Sequence, residues 1–309
     1  FQLKLLETIM TKKALIIMFS IFFSNNAISS EIVVSVKPLH SLVSAVAEGS
    51  HSVSLLIDGS MSPHNFALKP SHAKLLNNAK VVFYIDNQLE SALKKTVRGL
   101  PKDVKVVQVS KIKNLKLLST RAGNNWEEDG HDHHDHAHGS YDVHFWLDPN
   151  NATQIIKGII RELSKVYPEN INIYKENAKK IIKKIKKTDL VIKSMLNPIQ
   201  DKPYIVFHDA YQYFEKAYNL KPAGSILLNP ELPPSAKRII IIREKIKSLN
   251  ASCVFKEPQF RGKIINTVIE DTDTKVGILD PLGADIDSGP GMYTKLLKNI
   301  AENLNACLK

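Results

Sequence analysis

The feature that most constrains this chain is an alternation of β-branched runs with amphipathic segments, given twice and separated by one long lysine-rich segment. EIVVSVKPL reads as a buried strand, SLVSAVAEG as a helix stopped by Gly49, and SVSLLID as a second strand. SHAKLLNNA and LESALKKTV read as helices, each followed by a strand, VVFYI and VKVVQV. NATQIIKGIIRELSKVY is amphipathic, with Ile155, Ile156, Ile159, Ile160 and Leu163 on one face. The segment from about Asn170 to Leu196 then repeats Ile171, Tyr174, Ala178, Ile181, Ile185 and Ile192 at helical spacing until Pro198 and Pro203 close it. After it the alternation resumes: PYIVFH, AYQYFEKAY, PPSAKRIIIIREKIKSL, SCVF, KIINTVIE, KVGILD and a last helix from about Tyr293 to Cys307. Strands separated by helices call for parallel βαβ units. The predicted fold is therefore α/β, two lobes with mainly parallel sheets joined by one long helix. The expected boundaries are residues 31–167 for the first lobe, 168–197 for the linking helix and 198–309 for the second.

The first thirty residues read differently. From Met10, where a translational start is expected, MTKKALIIMFSIFFSNNAISS carries two lysines, an apolar run and then small residues. That is the build of a cleavable secretory signal over residues 1–30, with the mature chain beginning near Ser30 or Glu31. The run is too short and wrongly flanked for a transmembrane anchor, and no other stretch is apolar enough to span a bilayer. No cysteine follows it, which argues against a lipid-anchored surface adhesin. The formal charge of +11 owes much to Lys179, Lys180, Lys183, Lys184, Lys186 and Lys187, all on the linking helix. Without interleaved aromatics or a recognition-helix pattern, this is expected to be a solvated basic face and no nucleic-acid partner is implied. Cys253 and Cys307 are an even pair in a chain expected to be exported, which suggests a disulfide; two unrelated buried thiols are the alternative.

The chemistry concentrates in histidine. His131, His133, His134, His136 and His138 fall within eight positions, interleaved with Asp132 and Asp135, inside a polar stretch of about residues 121–142 expected to be a loop. Imidazole and carboxylate are ligands for divalent transition metals, so this stretch is expected to be an auxiliary metal collector. His144 follows in the apolar setting VHFWLDP, His64 follows SVSLLID, and His208 ends YIVFH. Asp285 follows KVGILD in the same way. In open α/β sheets ligands bind beyond the carboxyl ends of the strands. Three imidazoles and one carboxylate would make a four-ligand zinc site bridging the lobes, with water as the alternative fourth ligand. His40, His51 and His72 are expected to be structural or exposed, and Glu257 and Asp280 to lie near the same strand ends. No HExxH and no nucleophile arrangement is present, so an exported zinc hydrolase is the weaker reading and no catalytic residue is assigned.

GSMSPHNFALKPS, YDVHFWLDP, VFHDAYQYFEKAYNL, CVFKEPQF and LDPLGADI, in this order, resemble the periplasmic zinc-binding proteins of high-affinity zinc ABC transporters, the ZnuA type within the cluster A-I solute-binding proteins. The resemblance covers nearly the whole mature chain. It implies that the long helix joining the two α/β lobes is a rigid backbone helix. It implies zinc carried on His64, His144 and His208, a charged His-rich loop before the second of these, and a C-terminal disulfide at Cys253 and Cys307. It also implies a periplasmic, non-enzymatic, monomeric receptor that carries Zn2+ as cargo and serves an inner-membrane permease with its ATPase. Some members have glutamate before the first histidine; here that residue is Pro63, which has no ligand atom, and Asp285 is expected to serve instead. Manganese-binding relatives typically replace one histidine with a carboxylate, so His208 favours zinc over that alternative.

Overall fold

The structure, a computed structural model, describes residues 31–121, 141–227, 230, 232–260 and 262–309. The expected signal segment and the five loop histidines, His131 to His138, lie outside the described residues. The first sheet contains β1 (Ile32–Val36), β2 (Val53–Ile57), β3 (Val81–Tyr84) and β4 (Lys105–Gln108), all parallel, in the order β2-β1-β3-β4. The second contains β5 (Tyr204–His208), β6 (Gly224–Leu227), β7 (Cys253–Lys256) and β8 (Lys275–Ile278), also parallel, in the order β6-β5-β7-β8. The two orders are the same topology. In each sheet the chain steps to one side of its first strand and then crosses to the other, so the carboxyl ends of β1 and β3, and of β5 and β7, flank a switch point. β1, β3 and β5 are buried on both faces, as their runs rich in Val, Ile and aromatic residues require.

Helix α1 (Lys37–Ala47) leaves β1 with no intervening loop, Pro38 being tolerated in its first turn. α2 (Pro70–Asn77) and α3 (Leu93–Arg98) follow β2 and β3. α3 is shorter than the sequence predicts because the Glu90 carboxylate accepts hydrogen bonds from the backbone N–H groups of Ile85 and Asp86, at 3.0 and 2.8 Å, instead of entering the helix. α4 (Pro149–Val166) starts two residues earlier than predicted, with Asp148 as N-cap accepting from Asn150 N at 2.7 Å. α5 (Ile171–Leu196) is the long helix that joins the lobes, and it buries Tyr174, Asn177, Ala178, Ile181, Ile185, Ile192 and Leu196 while its lysines face solvent. α6 (Gln212–Tyr218), α7 (Ala236–Ser248) and α8 (Lys263–Ile269) belong to the second lobe.

The last helix, α9 (Met292–Leu308), adds a second connection. It packs on β8 in its own lobe and also on α5 and on α1 of the first lobe. The Cys253–Cys307 disulfide, with Cα atoms 6.1 Å apart, fastens its end to β7. One large apolar core runs through the first lobe, α5, α9 and the near face of the second sheet. The far face of that sheet carries a smaller core of its own, where Ile205, Phe207, Ile226 and Val254 meet Ile242 and Ile246 of α7 and Ile265 and Val268 of α8. Among the described residues no helix is long and apolar enough to cross a membrane.

Candidate metal centre

Three imidazoles from distant parts of the chain converge between the lobes. His64 lies in the 3-10 turn Pro63–Asn65 that follows β2, with Ser62 Oγ accepting from its backbone N–H. His144 caps the 3-10 turn Phe145–Leu147 that leads into α4, and His208 is the last residue of β5. His64 Nε2 is 3.3 Å from His144 Nε2, and His208 Nε2 is 3.4 Å from the same atom. The ligand nitrogens of all three lie within 4.8 Å of one another. Two nitrogens bound at about 2.0–2.1 Å to one tetrahedral zinc are separated by about 3.3–3.4 Å. The observed spacing is that of adjacent corners of such a tetrahedron.

The hydrogen bonds behind the rings say which way the lone pairs point. His144 Nδ1 is 2.8 Å from Asp142 Oδ1, and His208 Nδ1 is 2.8 Å from Glu257 Oε1. A carboxylate accepts only, so each Nδ1 carries the proton and each Nε2 turns its lone pair inward. His144 and His208 are 6% and 3% exposed, which fixes both rings. His64 is only partly buried and has no carboxylate behind it among its described hydrogen bonds. Burial, and then the facing His144 and His208 rings, push its pKa well below the ordinary imidazole value. Burial acts the same way on His208, but the surrounding carboxylates, Glu257 first and then Asp209 and Asp142, together outweigh it and raise that pKa. His64 is thus held neutral and ready to ligate, whereas a proton competes for His208.

The expected fourth ligand is not brought in. Asp285 is exposed, is not among the clustered ligands and does not line the small cavity around the imidazoles. The reason is local. Asp280 accepts from the backbone N–H groups of Leu282 and Gly283, each at 2.9 Å, and from that of Ala284. This ties the loop after β8 into a tight turn that presents Pro281 and Leu282 to the site and leaves Asp285 facing solvent. Asp280 also accepts from Gln259 Nε2 at 2.8 Å, so its carboxylate is committed to the loop.

Of the other histidines, His40 bonds Val53 O at 3.0 Å, His51 packs against Tyr167, and the His72 ring accepts from Lys69 N. All three are structural, as expected. Glu257, expected only to lie near the site, backs His208 directly. Asp142 was not singled out from the sequence, although a carboxylate two residues before an imidazole in a turn was the available signal. Its Oδ1 accepts from both the ring and the backbone N–H of His144.

The family model for ZnuA, described as zinc-uptake complex component A, periplasmic, matches residues 32–307. The chain belongs to this family. Its ZnuA relatives include the high-affinity zinc uptake system protein ZnuA of Brucella abortus (strain 2308), 40% identical with 90% of this chain and 91% of that protein covered. The protein of the same description from Yersinia pestis is 34% identical, with 92% and 93% covered. A crystal structure of ZnuA superposes with a TM-score of 0.77 over 90% of this chain and 98% of that one, and at 23% identity it speaks for the shared fold. The Cys253–Cys307 bridge and the lobe architecture agree with what the ZnuA resemblance implied.

Proposed function

We infer that this chain is the periplasmic zinc receptor of an ABC transporter: it captures Zn2+ on His64, His144 and His208 and delivers it to an inner-membrane permease and its ATPase. The single observation that carries the reading is the Nε2 spacing, 3.3 Å between His64 and His144 and 3.4 Å across the cleft from His144 to His208, with two of the rings held in the metal-binding tautomer by carboxylates. Nitrogen donors alone favour zinc over manganese. Water completes the tetrahedron in place of Asp285, and the His-rich stretch around His131, His133, His134, His136 and His138 is an auxiliary, weaker collector. Family membership supports the periplasmic setting and the transporter partner. The ion is cargo, so no bond chemistry is assigned, and the receptor acts as a monomer.

The test is a zinc titration with a metal count per chain. One tightly held zinc is expected in the parent chain, lost in His64→Ala and retained when residues 122–140 are deleted. Loss of the tight site on the deletion, with His64→Ala intact, reverses the assignment of the two sites.

A further inference from the structure

The lobes meet along two unlike seams around the imidazoles. On one, the contacts end on backbone carbonyls: Trp146 Nε1 donates to Pro281 O at 3.0 Å, Lys37 Nζ to Ala284 O at 3.0 Å and Gln259 Nε2 to Gly59 O at 2.8 Å. The other seam carries a buried ion-pair cluster. Arg121, carried by the first lobe, reaches two carboxylates of the second: its Nη2 is 3.0 Å from Asp209 Oδ1 and donates to Glu215 Oε2. The three side chains are 16%, 13% and 4% exposed respectively. Asp209 follows His208 directly, and Arg121, Asp209, His64 and His144 line one cavity of about 380 Å³.

Arg121 is itself anchored. Ser119 pairs with Tyr141, whose hydroxyl donates to Asp86 Oδ2 at 2.6 Å in the first lobe. Across the same seam Tyr213 of α6, in the second lobe, donates to Asp142 O and accepts from Leu118 N of the first, both at 2.8 Å, and so holds this edge in register beside Arg121. A cation is an odd thing to bury in a cleft that receives cations, since its own field opposes the cargo. Its partners supply the reason. Asp209 and Glu215, withdrawn from water side by side, repel each other and lose hydration; one planar guanidinium offsets both charges at once, donating to Glu215 while facing Asp209 at 3.0 Å, which an ammonium does less well.

We propose that Arg121 is a positioning residue that governs how long the cargo stays: it ties the His208–Asp209 segment of the second lobe against the two imidazoles of the first, and so sets the escape rate of the bound divalent ion. This rests on the zinc-receptor reading above. Without the guanidinium the two carboxylates are better served by water, which they reach by a small shift of one lobe against the other. His208, one residue away, then leaves His64 and His144. The ligands themselves are untouched, so capture is not slowed. A purely electrostatic role predicts the opposite sign, because removing a positive charge from the cleft would hold zinc more tightly.

The experiment loads the full chain with zinc and follows its transfer to an excess of a chromophoric chelator by stopped flow, for the parent, Arg121→Met and Arg121→Lys. Arg121→Met is expected to release zinc about 10- to 100-fold faster, with association rate and stoichiometry unchanged, and Arg121→Lys to fall between. Adding Glu215→Gln to Arg121→Met removes one of the two stranded charges and is expected to slow release again. A release rate for Arg121→Met within about two-fold of the parent, or slower, overturns the proposal; so does release that follows an equal loss of melting temperature in the metal-free protein. If Arg121→Met does not fold, Arg121→Lys is judged by the same criteria. A parent chain that holds no zinc removes the receptor reading and this one together, whereas a zinc-holding parent with an indifferent Arg121 removes only this one.

Discussion

The two lobes share one topology and differ in what holds them together. The first sheet is enclosed by the main core, with β1 and β3 buried along their whole length. The second has its near face in that same core, but its far face rests on a separate, smaller cluster under α7 and α8, and its edge strand β8 exposes Val276 and Ile278. The same fold order therefore does not bring the same apolar burial. On the near face of that second sheet the chain adds a covalent tie, Cys253–Cys307, and the return of α9 to the other lobe. The lesson extends to the site: the better-buried lobe supplies His64 and His144, the other supplies His208.

The largest test of this contrast is the double substitution Cys253→Ser/Cys307→Ser. Chain entropy over a separation of 54 residues assigns the bridge about 4 kcal/mol. Denaturant unfolding should show that loss in the second lobe, with amide-exchange protection of β1 and β3 nearly unchanged. Equal loss of protection in both sheets would break the contrast.

A second test addresses the first lobe. Burial pushes Glu90 up to about 7 from an ordinary value near 4.5. A carboxyl group with a raised native pKa binds more protons folded than unfolded, so its contribution is complete below about pH 4.5 and is lost as pH rises through about 7. The expected change is about 3 kcal/mol across that window. Glu90→Gln should flatten it in urea-unfolding curves taken at several pH values; an unaltered slope would show that the term lies elsewhere.

Smaller is the effect of the groups behind the imidazoles. Asp142→Asn in one lobe and Glu257→Gln in the other should each weaken zinc by about 10- to 100-fold, measured by competition with a chelator, while one zinc per chain remains. Unequal losses would sharpen the comparison by showing which lobe orients its ligand more firmly. Smallest is Val276→Ser on the exposed edge strand, expected to change unfolding free energy by no more than about 0.5 kcal/mol. A larger loss would mean that the second lobe depends on that face.

Both sheets were legible because strands buried on two faces need runs rich in β-branched and aromatic residues, and IVVSV, VVFY and YIVFH are such runs. His64 and His208 were legible because strand ends in an open sheet converge on one edge, and His144 because it follows the His-rich stretch in an apolar setting. Asp285 was not, because its placement depends on backbone amides captured by Asp280, five residues before it, and periodicity carries no trace of that turn. The length of α3 was misjudged for a related reason, Glu90 having been claimed by two amides outside the helix. The second crossing by α9 also escaped notice, since an amphipathic pattern reveals a buried stripe and not the identity of the surface opposite.

That crossing has a mechanical consequence. A single connecting helix would let the halves bend about its ends; two packed ones, α5 and α9, restrain bending and favour sliding or slight rotation of one half upon the other. Small displacements suffice here, because a coordination shell of this size is undone by movements of an ångström or so. A receptor braced in this way surrenders its load through a modest shear, and need never gape.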